Sequence, residues 1–176
     1  MSLYPRLLFD MNALRYLDQL ELLEVCVEAV AKPRTLDLIR FKEMKNPVWE
    51  DVEPYGMQSC ALTPEMMAEA DAMTKVSPKL SICDAGLIVL AKEYNIPVFT
   101  EDMAMVKVMN HQKVQHVSLP EMVDSLVDAK KISYEKAGPV FQRIFTELLP
   151  GCEKKYPEIL EKYSSSWKTD GEGGDV

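Results

Sequence analysis

Ser81 to Asp102 reads SICDAGLIVLAKEYNIPVFTED, and this stretch decides the fold. Ser81 to Tyr94 is a strongly apolar helix, and Pro97-Val98-Phe99-Thr100 is a compact strand apolar enough to be buried on both faces. A helix from Glu101 to Met109 and a strand from Val114 to Val117 follow. Upstream, Leu7-Leu8-Phe9 is a short apolar strand ending at Asp10, and Leu14, Leu17, Leu20 and Leu23 place one helix, or a helix pair, over 12–26. Val27 to Ala31 reads as the second strand, with a helix opening at Pro33. Val48 to Val52 is strand-like within a turn-rich excursion, and Thr63-Pro64-Glu65 opens a further helix with Thr63 as its cap. From Pro120 the pattern is helical only, over 120–129, 133–148 and 155–163. Strands alternating with helices predict a three-layer α/β/α fold around a central parallel sheet, with a C-terminal helical extension. The expected organisation is an α/β domain over 1–130, the extension over 131–163 and a disordered tail over 164–176.

Composition narrows the function. The 176 residues carry 20 Lys+Arg against 28 Asp+Glu, a net charge of −8, which disfavours broad electrostatic adhesion to nucleic acid but allows a local basic groove. No run of 18 apolar residues and no signal peptide is present, so a cytoplasmic protein without membrane contact is expected. Cys26, Cys60, Cys83 and Cys152 lack any C-x-x-C pairing and read as reduced, mostly buried thiols rather than zinc ligands. Met66, Met67 and Met73 read as core filling, and His111 and His116 as surface or satisfied histidines. Trp49 and Trp167 are candidates for stacking on bases.

Three aspartates occupy comparable positions. Asp10 ends the first strand, Asp102 follows the strand over 97–100, and Asp84 lies in the first turn of the apolar helix. The carboxyl ends of parallel strands form the ligand crevice, so Asp10 and Asp102 converge if their strands are neighbours. Residues 84, 88 and 91 share a helix face destined for burial, and a buried carboxylate needs a partner or a metal. Oxygen-only donors suit Mg²⁺ or Mn²⁺. Each aspartate has a plainer role open to it: Asp10 as an N-cap, Ser81-x-x-Asp84 as a capping box with Asp in place of Glu or Gln, Asp102 as an anion at a helix N-terminus. Asn12 either orients a water or a ligand carboxylate, or faces solvent.

These pieces resemble the PIN domain, a metal-dependent nuclease fold, and are similar to the archaeal and bacterial PIN proteins related to toxin ribonucleases. The resemblance rests on Leu7-Leu8-Phe9-Asp10-Met11-Asn12, on Cys83-Asp84-Ala85-Gly86-Leu87-Ile88-Val89-Leu90-Ala91 and on Ile96-Pro97-Val98-Phe99-Thr100-Glu101-Asp102, and covers roughly residues 5–120. It implies endoribonuclease chemistry with Asp10, Asp84 and Asp102 as catalytic metal ligands, Mg²⁺ or Mn²⁺ as cofactor, and Asn12 and Thr100 in auxiliary roles. A fourth acid is expected on the helix after the second strand. Asp37 fits the local pattern and is slightly preferred; Glu43 has the family's residue type but lies further along. The family's commoner acid just after Asp102 is missing, since Met103 and Met105 stand there. Arg15, Lys32, Arg34, Arg40 and Lys42 are candidates to meet an RNA backbone, or ordinary solvated charges. The resemblance also raises an antitoxin protein as partner and a homodimer as assembly. The rival reading is a catalytically silent PIN-like module that binds RNA or protein. A dehalogenase-like domain is disfavoured by Asn12, which stands where a second Asp is needed, and a receiver-like domain by the single Asp10 where paired acids are needed.

Overall fold

The computed structural model describes residues 2–167. Two compact units form, Met1–Leu119 and Pro120–Val176, so the division falls at the start of the helix over 119–128.

The first unit is an α/β domain around a five-stranded, wholly parallel sheet. Its strands are β1 (Leu7–Phe9), β2 (Pro33–Leu36), β3 (Gln58–Cys60), β4 (Val98–Phe99) and β5 (His116–Val117), in spatial order β3-β2-β1-β4-β5. The chain therefore starts in the centre of the sheet, winds outward through β2 and β3, then returns to the other side of β1. Strand order reverses between β1 and β4, where an α/β sheet opens a crevice. Leu8 pairs with Val98 and Phe9 with Phe99, and the ladder continues with Leu8 N–H donating to Pro97 O at 3.0 Å and Asp10 N–H to Phe99 O at 3.1 Å.

Helices α1 (Met11–Gln19), α2 (Leu23–Glu28), α3 (Asp37–Lys42), α4 (Pro64–Val76), α5 (Ile82–Tyr94) and α6 (Met103–Gln112) flank the sheet in the three-layer arrangement. Side chains alternate across a strand. Leu8 joins Leu36, Val98 and the apolar residues of α5 in one buried cluster. Leu7 and Phe9 project to the other face, and they are equally inaccessible. There Phe9 meets Phe99 edge to face, with ring centroids 5.7 Å apart. Eight residues of α5 are buried, from Cys83 to Ala91, which explains why its sequence is apolar nearly all round.

Two expected strands are absent. Val27 to Ala31 is not the second strand: Leu23, Cys26 and Val27 are the buried positions of α2, at i, i+3 and i+4. The strand begins instead at Pro33, where proline is tolerated because a strand's first residue can forgo an N–H donor. Thr35 then fixes β2 to β1 by donating its hydroxyl to Phe9 O at 2.8 Å. Val48 to Val52 forms a tight helical turn over Trp49–Asp51 and leads into another over Glu53–Tyr55. β3 is Gln58–Cys60, a partly exposed edge strand without an apolar signature.

In the second unit, the described residues form α7 (Leu119–Asp128), α8 (Tyr134–Arg143) with a π-helical turn at Ile144–Leu148, a 3-10 turn at Cys152–Lys155, and α9 (Pro157–Ser164). Tyr163 of α9 stacks on Phe141 at 4.3 Å and donates its hydroxyl to Asp124 at 2.7 Å, while Lys162 pairs with Asp124 and Asp128. Of the tail expected to be disordered, residues 164–167 close α9 and turn back, with Ser166 N–H donating to Tyr163 O at 3.0 Å. The rest of that tail lies outside the described residues.

Gly86 is where α5 comes closest to β2. A Cβ there would stand 2.8 Å from Leu36 Cδ1 and 3.0 Å from Leu62 Cδ1. Leu36 is fully buried and has little room to yield. Gly86→Val should therefore destabilise the protein by about 1–3 kcal/mol, read as a lower urea midpoint at unchanged slope; an unchanged midpoint would show that this contact is looser than described.

Candidate active site

Asp10 is the first residue after β1 and Thr100 the first after β4. Because Phe9 and Phe99 are in register, the two side chains meet: Thr100 Oγ1 donates to Asp10 Oδ2 at 2.9 Å. The same Thr100 oxygen accepts the backbone N–H of Asp102 at 3.1 Å. One hydroxyl thus ties the expected first and third aspartates together. Asp10 and Thr100 are both buried, 2% and 0% exposed, which is unusual for polar groups at a strand end.

The other acids arrive on helices. Asp102 is the N-cap of α6; its Oδ1 accepts from Ala104 N at 2.7 Å and Met105 N at 3.0 Å. Asp84 and Ser81 form a reciprocal capping box on α5, with Ser81 N–H donating to Asp84 Oδ2 at 2.7 Å and Asp84 N–H to Ser81 Oγ at 3.1 Å. The plainer roles considered for Asp84 and Asp102 are therefore real. Each cap engages one carboxylate oxygen and leaves the other. Asp10 caps no backbone N–H with its side chain.

Electrostatics gathers the acids around Asp10. Its carboxyl is pushed up to about 7, first by burial and then by the charges of Asp84 and Glu43; the Thr100 hydrogen bond and the Met11 backbone oppose this. The Cys83 thiol is pushed up to about 12 by burial, by a hydrogen bond to Glu43 and by the charges of Glu43 and Asp84, with Lys42 opposing. Glu43, at the C-cap of α3, is the other acid whose charge acts on Asp10 and Cys83. The slightly preferred Asp37 opens α3, and its charge acts on Cys60. Among the described residues, no three His, Cys, Asp or Glu side chains converge on one point as a metal-ligand set does.

The remaining sequence candidates separate. Asn12 accepts from Arg15 Nη1 at 3.4 Å on α1. Arg40 lies over the Trp49 ring at 4.2 Å and donates to Ser59 at 3.4 Å, and Trp49 is 8% exposed, so that indole is not an open platform for a base. Arg34 sits in β2 with its Nε buried and unpartnered. Lys42 is the one basic candidate whose charge reaches the cluster, through Cys83. Reading residues in isolation missed Cys83 as part of this site; the signal available was its place beside Asp84 on a helix face facing the acids.

Asp10 has a definite pH consequence. Its folded carboxyl is raised above the value of 3.8 for a free aspartate, so near neutral pH the folded state holds a proton that the unfolded chain releases. Stability from this group is fully present below about pH 4 and is lost as pH rises through about 7. In metal-free buffer, Asp10→Asn should gain about 2–4 kcal/mol on wild type between pH 4 and pH 8, because each tenfold change in proton affinity is worth about 1.4 kcal/mol. Parallel stability curves for the two proteins would refute the assignment. Comparison with protein-family models, curated proteins and solved structures returns no match.

Proposed function

We propose that the chain is a metal-dependent nuclease, an endoribonuclease that hydrolyses phosphodiester bonds, with Asp10, Glu43, Asp84 and Asp102 as its acidic centre. One observation carries the reading: a buried carboxylate at the switch point of a parallel sheet, surrounded by further carboxylates whose like charge works against its ionisation. A structural core has no use for such an arrangement, because each acid raises the cost of the next. A divalent cation would relieve it, drawing in the free oxygens of Asp84 and Asp102 with Asp10 and Glu43 as an all-oxygen donor set of the kind Mg²⁺ and Mn²⁺ take. The Cys83 thiol is pushed toward its protonated form by burial and by the neighbouring acids, and a soft sulfur ligand suits these hard cations poorly.

When bound, such a cation lowers the pKa of a water and offsets charge on a phosphate in the transition state. The protein's own groups have separable parts. Thr100 holds the Asp10 carboxylate by its Oδ2, so the residue cannot swing away. The Ser81 box and the α6 N-terminus lock the rotamers of Asp84 and Asp102. The α3 C-terminus brings the charge of Glu43 to bear on Cys83 and Asp10, and Lys42 beside it would meet a phosphate.

The second reading is a catalytically silent module that binds RNA or a protein partner. It is favoured by the capping bonds that occupy Asp84 and Asp102 and by the lack of three converging donors among the described residues.

Calorimetric titration with Mn²⁺ separates the two without a substrate. The nuclease reading expects wild-type affinity on the order of micromolar to low-millimolar. Asp84→Asn and Glu43→Gln should each weaken it at least about tenfold, and Asp37→Asn should leave it unchanged. With an RNA panel in Mn²⁺, Asp10→Asn should lose at least about a hundredfold in cleavage rate. A wild-type protein that binds no Mn²⁺ would eliminate the nuclease reading and leave the silent module.

A further inference from the structure

A cavity of about 620 Å³ opens near the N-termini of α5 and α6. Its walls are the connector before α5 and one side of α6: Leu80, Ala104 and Val108 provide apolar lining, and Lys79, Lys107 and His111 are its basic groups. Leu80 immediately precedes Ser81, which Asp84 caps, and Ala104 donates its N–H to Asp102. Two of its lining residues thus adjoin the caps that Asp84 and Asp102 form, and neither aspartate lines it. It runs on into a second hollow of about 520 Å³ between α4 and α6, through the shared Ser77, Val108 and His111.

Among the described residues no carboxylate lines the larger cavity, in a chain whose net charge is −8. Neither Lys79 nor Lys107 forms an ion pair with any described residue. Two uncommitted ammonium groups over an apolar floor suit a ligand that is anionic along one edge and flat and apolar on another. The volume lies in the range of about 300–1,000 Å³ taken by nucleotide-sized ligands.

We propose that this groove binds single-stranded nucleic acid next to the acidic centre, with one nucleotide's base against Leu80, Ala104 and Val108 and the adjoining phosphates on Lys79 and Lys107. Single strands are specified because a duplex hides the base faces that an apolar floor needs. An acidic protein segment offers the charge but not the flat apolar unit for this floor, so nucleic acid is the better match. The identity of the occupant rests on the nuclease reading, whereas the groove's charge and shape do not.

The test is fluorescence anisotropy with labelled oligouridylate and oligoadenylate of about ten nucleotides, in EDTA so that no cleavage occurs, with Mn²⁺ calorimetry on the same proteins. Wild type should bind the oligonucleotides. Lys79→Glu and Lys107→Glu should each weaken binding about tenfold and reduce its salt dependence by about one phosphate contact. Their Mn²⁺ titrations and circular dichroism should match wild type. Lysine-dependent binding in a protein that fails to bind Mn²⁺ would uphold the groove and eliminate the nuclease reading. The groove proposal falls if no oligonucleotide binds, if both lysine variants bind as wild type does, or if a polyglutamate peptide of equal charge displaces the strand as well as unlabelled RNA, which would indicate an acidic protein partner.

Discussion

The pairing of Phe9 with Phe99 across parallel β1 and β4 is the constraint on which the candidate site depends. These strands adjoin although β2, β3 and helices α1 to α5 lie between them in sequence, and they adjoin because the chain fills one side of the sheet before returning to the other. Registered strands end at the same level. Asp10 and Thr100 therefore emerge side by side, and a single hydroxyl can hold Asp10 while receiving the N–H of Asp102. A register slip of one residue would turn both side chains to the opposite face. The Phe9–Phe99 ring contact and the bonds from Leu8 N–H to Pro97 O and from Asp10 N–H to Phe99 O hold that register.

Burial and like charge act in the same direction on Asp10, and this is what distinguishes it from its neighbours. Asp84 and Asp102 keep part of their surface in solvent and take backbone N–H groups as partners, so their carboxylates have local compensation. Asp10 is enclosed, and its side-chain partner is a neutral hydroxyl. The energetic tension is thus concentrated on one residue at the base of the crevice. Perturbed carboxyls are common at functional sites for this reason, since a site that must hold a cation or move a proton cannot also neutralise its own acids.

The two capping aspartates show that structural and functional roles are not exclusive. A cap fixes the side-chain rotamer and the direction of the remaining oxygen, as a ligand-holding residue requires. The helix N-termini also add positive partial charge that tolerates an acid in a crowded acidic neighbourhood. Lys79 and Lys107 line a cavity together with Leu80 and Ala104, the residues next to these caps.

Sequence alone determined the parts of this protein that depend on local chemistry. The apolar run of α5, the short β1 and β4, the Thr63, Ser81 and Asp102 caps, and Asp10 at a strand end all follow from residue type and near-neighbour spacing. It misplaced β2 because the apolar segment at Val27 is compatible with either period, and only packing of Leu23, Cys26 and Val27 on one side made it helical. It missed β3 because an edge strand carries little burial signal. It preferred Asp37 over Glu43 because Leu36-Asp37-Leu38 fits the local pattern and Glu43 lies further along the helix. The tertiary structure sets the two acids in different surroundings: the charge of Asp37 acts on Cys60, that of Glu43 on Cys83 and Asp10. Which acids share a field depends on distances across the fold, and those are set by strand order and helix direction rather than by position along the chain.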